Sequence, residues 1–76
     1  MKEMLTTIIN SLVTDISAVS INEIEGEKTI IYEVRVAESD MGKVIGKEGR
    51  IAQAIRTIMK ALAAKDSKKV SIEFIG

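Results

Sequence analysis

Leu5, Ile8, Ile9, Leu12, Val13 and Ile16 recur at i, i+3, i+4, i+7, i+8 and i+11, the spacing of one buried helical stripe, while Lys2, Thr6, Asn10 and Thr14 fall on the other side. The spacing predicts a helix from Lys2 to about Ser17. Beyond it the period shortens to two. Val19 to Glu25 and Lys28 to Ala37 read as two strands around a turn at Gly26-Glu27. In the second, Ile30, Tyr32, Val34 and Val36 alternate with Ile31, Glu33 and Arg35, so one face of the hairpin meets a core. Ser39-Asp40 offers a side-chain oxygen to cap a new helix, and Met41 to Ile45 supply little more than one turn before Gly46 stops it. A further helix begins at about Gly49, with Ile51, Ala54, Ile55, Ile58 and Leu62 as its buried stripe and Arg50, Gln53, Arg56 and Lys60 on other faces. Val70, Ile72 and Phe74, alternating with Ser71, Glu73 and Ile75, make a last short strand.

The order is α-β-β-α-α-β, an α+β arrangement. A strand followed by two helices returns parallel to its start if the two strands are neighbours, so the expected architecture is a mixed three-stranded sheet with three helices on one face. No Pro, repeat or low-complexity tract divides the 76 residues, which read as one domain over 1–76. A chain this short buries only about 60% of its unfolded surface, so its patterning must be consistent throughout.

Cys and His are both absent. Disulfides, thiolate and imidazole metal sites and the commonest acid/base group go with them, and the expectation is a protein with no metal, no cofactor and no catalysis. Asp15, Glu23, Glu33 and Glu73 lie on separate elements without a partner base or nucleophile and read as solvated charges. No apolar run approaches the roughly 18 residues that span a bilayer, and the first residues lack the apolar block of a signal peptide, which points to the cytoplasm and away from membranes.

Eleven basic and eleven acidic residues cancel, but they are not mixed. From Met41 to Lys65, six cations (Lys43, Lys47, Arg50, Arg56, Lys60 and Lys65) face one acid, Glu48, for a net +5; the rest of the chain carries −5. A cationic segment in an anionic frame gives an anion a local site. A solvated basic helix face would give the same charge pattern.

The centre of that segment is Gly46-Lys47-Glu48-Gly49, two glycines bracketing two residues between helices. Glycine allows the backbone angles of a tight turn and, lacking Cβ, lets a sugar-phosphate chain approach the main chain. The following helix starts there and aims its free N–H groups and positive dipole end at the same place. Gly46 as a simple helix C-cap, with Gly49 relieving crowding, is the alternative. A nucleotide-binding P-loop is excluded: only three residues separate Gly42 from Gly46, and Glu48 follows the Lys in place of Ser/Thr. The Gly42-x-x-x-Gly46 spacing of membrane helix pairs is excluded by Asp40, Lys43 and Lys47, leaving Gly42 to permit close packing of the short helix.

Ile45-Gly46-Lys47-Glu48-Gly49-Arg50-Ile51, followed by Ile55 and set between two helices flanked by strands, resembles the Ile-Gly-x-x-Gly signature of KH domains. The element order is similar to the type II, prokaryotic arrangement over essentially the whole chain. Glu25 to Lys28, Asp40 to Arg50 and Ala54 to Thr57 further resemble KhpA, a family of small bacterial proteins that are single KH domains. The resemblance implies binding of about four nucleotides of single-stranded RNA. Lys43, Val44, Ile45, Gly46, Lys47, Glu48, Gly49, Arg50 and Ile51, with part of a sheet edge, would line the groove. Tyr32 and Phe74 are the only aromatics and both sit on core-facing runs, so bases would meet aliphatic side chains and backbone groups. Glu48 departs from what a phosphate-facing loop wants. The resemblance also implies a second KH protein, KhpB (Jag-like), as partner, a link to RNA chaperoning, cell division and cell-wall homeostasis, and leaves a homodimer open. A module that keeps this fold but mainly docks on proteins is the competing reading, with Ile31 and Ile75 as its contacts.

Overall fold

The computed structural model describes residues 1–75. It runs α1 (Lys2–Leu12), β1 (Ser20–Glu25), β2 (Thr29–Arg35), α2 (Met41–Ile45), α3 (Arg50–Lys65) and β3 (Lys69–Ile75), with single 3-10 turns at Ile16–Ala18, Glu38–Asp40 and Lys47–Gly49. β2 is the central strand: it pairs antiparallel with β1, from Ser20↔Arg35 to Glu25↔Ile30, and parallel with β3, from Thr29↔Lys69 to Arg35↔Ile75. The two-helix crossover supplies the length of chain that a parallel return needs.

Alternation along β2 decides which face is inside. Ile30, Tyr32 and Val34 are buried and face Val70 and Ile72 of β3 on the same side of the sheet. Onto them pack Leu5 and Ile9 from α1, Val44 from α2, and Ile55, Met59 and Ala63 from α3, so the three helices share one face as the element order requires.

α1 is shorter than its periodicity predicts. It ends at Leu12; Val13 is extended (φ −89°, ψ 158°), and Ile16, read as the last residue of the buried stripe, is 57% exposed. The cause lies 25 residues downstream. In a continuing helix the amides of Thr14 and Asp15 would bond to carbonyls four residues back. They donate instead to Asp40, to Oδ1 at 3.1 Å and Oδ2 at 2.9 Å. This corrects the reading of Asp40 as a helix cap: no side chain caps α2, and the carboxylate is turned inward with 1% of its residue surface exposed.

The stripe on α3 is also rotated from the expected one. Ala52, Ile55, Met59 and Ala63 are innermost, Ile51 and Leu62 flank them, and Ala54 and Ile58 are exposed. Small Ala52 and Ala63 at the contact line let the helix approach its neighbours closely, with Ile51 and Leu62 filling the space on either side. Gly42 does not serve close packing: it is exposed, and a Cβ there would meet nothing within 4 Å. Among the described residues no helix is long and apolar enough to cross a membrane.

Candidate functional site

The two glycines between α2 and α3 carry different physical demands. Gly46 adopts φ 77°, ψ 173°, and a Cβ built on it would lie 2.6 Å from Ile51 Cγ1 and 2.9 Å from the Ile51 amide nitrogen. It closes α2 as a C-cap, its N–H donating to the Gly42 carbonyl at 2.9 Å. Gly49 is left-handed (φ 73°, ψ 14°), its N–H donates to the Gly46 carbonyl at 3.1 Å, and a Cβ there would meet nothing within 4 Å. Gly46 is thus filled by the molecule itself, whereas Gly49 presents bare main chain to the outside at the start of α3. No side chain caps that helix, so its first amides are free of intramolecular side-chain partners.

Of the residues expected to line the groove, Lys47, Glu48 and Arg50 are exposed around this corner. Glu48 holds a left-handed backbone (φ 58°, ψ 24°), and its carboxylate turns back to Arg50, Oε2 to Nη2 at 3.4 Å, so the loop's acid is aimed at α3's first cation. Ile45 and Ile51 are partly buried against the core, and Ile51 forms the floor under Gly46.

Two expected contacts are placed elsewhere. Val44 is fully buried, because on so short a helix it is the residue that anchors α2 to the sheet, and it has no surface for a ligand. Lys43 is half exposed but committed to the α1 side: its Nζ lies 3.2 Å from Asp40 Oδ1 and donates to Thr14 Oγ1.

Asp40 therefore ties the end of α1 to the start of α2. The Asp15 and Thr14 amides, with help from Lys43, hold its pKa at about 2, below the ordinary 3.8, against the opposing pull of desolvation. Because the carboxylate is more acidic folded than unfolded, its stabilisation is complete above about pH 5 and is lost as pH falls through 4 towards 2. Asp40→Ala leaves two amides without their acceptor and is expected to lower the thermal midpoint at pH 7 by roughly 10 °C. A thermal melt series from pH 7 to 2 checks this: Asp40→Asn, already lowered at pH 7, should lose less over that range than the unsubstituted chain.

The tertiary structure adds residues that the glycine loop alone did not identify. Gln53, Thr57, Lys60 and Ala64 follow Arg50 on one face of α3 at helical spacing, with Arg56 beside them. Of these, Arg56, Lys60 and Ala64 run along the free edge of β3. Between them lie two adjoining clefts of about 220 Å³ and about 350 Å³, sharing Lys60 and Val70; the first is lined also by Arg56, Ser71 and Ile72, the second by Lys68 and Lys69. Arg56 donates from Nε and Nη2 to the Ile72 carbonyl at 3.4 and 3.3 Å, and its guanidinium sits 5.3 Å from the centre of the Phe74 ring. A basic trough thus leads away from Gly49. The charge count pointed to Arg56 and Lys60; their alignment with a strand edge required the parallel pairing of β2 and β3.

A family model described as KhpA/KhpB, KH domain, matches residues 2–74. The chain is 56% identical over 75 residues to the RNA-binding protein KhpA of Caldanaerobacter subterraneus subsp. tengcongensis, covering 99% of this chain and 100% of the relative. It is 55% identical, with the same coverage, to the protein of that name from Clostridium acetobutylicum. The KhpA of Chlamydia trachomatis is 48% identical over 75 residues, 99% of this chain and 96% of the relative. No solved structure matches.

Proposed function

Since this chain belongs to the KhpA/KhpB family of KH domains, we propose that it binds single-stranded RNA without catalysis, at the corner formed by Gly46 to Gly49 and along the trough between α3 and β3. The observation that carries the reading is Gly49: an open, left-handed glycine at the uncapped start of α3. A phosphate resting there meets backbone N–H groups and the positive end of the helix dipole, with Lys47 and Arg50 on either side. Binding draws Arg50 away from Glu48, whose carboxylate is exposed enough to swing into water. Bases then lie along the trough over the β3 edge from Val70 to Ile72, with Lys60 and Arg56 at its rim. Duplex RNA fits this poorly, because its bases are turned inward and cannot enter a narrow cleft.

The cytoplasmic setting and a KhpB-like partner belong to the same reading. The family's name, which joins KhpA and KhpB, suggests the partner; the roles in RNA chaperoning, cell division and cell-wall homeostasis rest on the resemblance.

Titration of a fluorescent single-stranded RNA of about eight nucleotides tests the reading. With Lys47, Arg50 and Lys60 as the phosphate contacts, the logarithm of the association constant should fall with the logarithm of salt at a slope near −2, about 0.7 for each contact. The same sequence as a duplex should bind more weakly. A folded chain that binds neither, or binds both equally with no salt dependence, overturns the assignment and favours the protein-docking reading.

A further inference from the structure

We propose that the cleft where the first turn of α1 meets the end of α3 and the hairpin end of the sheet binds a primary alkylammonium group. The cleft measures about 430 Å³. It lies at the opposite end of α3 from Gly49, about 24 Å away along a sixteen-residue helix, and touches the RNA site only through Lys68, which also lines the far cleft of the trough.

The starting observation is Tyr32. Its residue lines this cleft and is fully buried, yet its hydroxyl has no hydrogen-bond partner. A buried hydroxyl left unpaired costs free energy and calls for a partner. Glu23 stands directly across the β1–β2 ladder on the same side of the sheet, its carboxylate near enough to act on the phenol but outside hydrogen-bond geometry. Burial, followed by the Glu23 carboxylate beside it, as an acceptor within reach and then as a negative charge, pushes the phenol's pKa above its usual range, so the group stays a neutral hydroxyl with lone pairs to offer.

The surrounding charges select the ligand. Glu25 is paired with Lys68 and Glu3 with the amino group of Met1, whereas Glu23 and Asp66 have no ion pair among the described residues. Lys2, exposed at the rim, is the remaining cation. Four carboxylates disfavour an anion. Among the described residues no three metal-ligating side chains converge, so a bare metal ion is poorly served. An ammonium group has three N–H donors and a positive charge, which matches Glu23, the Tyr32 hydroxyl and Asp66 as acceptors. That chemistry occurs in free diamines and in lysine side chains.

The test follows backbone amide NMR shifts of the whole chain, without RNA, on titration with putrescine, with Nα-acetyl-lysine methylamide, and with glutarate, a dianion without an ammonium group, as the control. Saturable shifts at Glu23, Tyr32 and Asp66, with Gly46 to Arg50 unmoved, are expected from the amines and not from glutarate. Tighter binding of putrescine assigns the source to a free diamine, and tighter binding of the lysine derivative to a side chain. Tyr32→Phe and Glu23→Gln should each weaken amine binding by about fivefold or more. Tyr32→Phe, which removes the unpaired hydroxyl, should leave the thermal midpoint unchanged or raised. Absence of saturable shifts, equal shifts from glutarate, or a lowered midpoint in Tyr32→Phe overturns the proposal. It stands or falls independently of RNA binding.

Discussion

Lys47→Asp combined with Glu48→Asp is expected to abolish RNA binding while leaving the domain folded. Both side chains are exposed, and neither contributes to the core. Position 48 is left-handed, a conformation that Asp tolerates better than Glu, so the turn is not opposed by the change. At position 47 a cation that meets phosphate becomes an anion. Replacing a charge-assisted contact by repulsion costs about 2 to 3 kcal/mol, or roughly 30- to 150-fold in affinity, enough to take a weak single-domain complex beyond measurement. Circular dichroism and the RNA titration together read the outcome. A variant that melts like the parent and still binds would remove the loop from the interface and leave the trough along β3 to account for binding alone.

The second large effect separates the two glycines. Gly46→Ala should cost about 3 kcal/mol: the backbone there is one that side chains rarely adopt, and the new methyl would lie 2.6 Å from Ile51 Cγ1 with the Ile51 amide at 2.9 Å. In a domain of this length that is a fall of roughly 12 to 24 °C in thermal midpoint. Gly49→Ala meets no neighbour and pays only for a left-handed alanine, about 1 kcal/mol or roughly 4 to 8 °C. Its methyl projects into the space where the RNA backbone is placed, so affinity should fall by about tenfold or more although the fold survives. Thermal melts and titrations of both variants give opposite rankings, Gly46→Ala worse for stability and Gly49→Ala worse for binding per degree lost. Similar melting losses for the two would show that Ile51 yields to a methyl at position 46.

Much of the fold was legible because it is written locally. The change of period from 3.6 to two after α1, the alternation of Ile30, Tyr32 and Val34, and the break at Gly46 each depend on residues a few positions apart. Where the sequence reading failed, the deciding partner was distant. The stripe through Ile16 continued in helical register, and nothing near it announced that Asp40 would take the Thr14 and Asp15 amides. The same contact drew Lys43 away from the loop it was expected to serve. Val44 sits on five helical residues, too few for a periodic signal to separate an inward from an outward position. The glycine pair was visible as a motif, but which glycine is closed and which is open depends on where Ile51 comes to rest after α3 has docked.

The outer edge of β3 bears on how the molecule behaves when crowded. An unpaired strand edge invites a neighbouring chain to extend the sheet, the first step of fibrous self-association. Arg56 lays its guanidinium on the Ile72 carbonyl and across Phe74, plugging that edge near its middle with a bulky cation. A second copy must evict this plug before it can add a strand, so the sheet resists growing into a ribbon at this border.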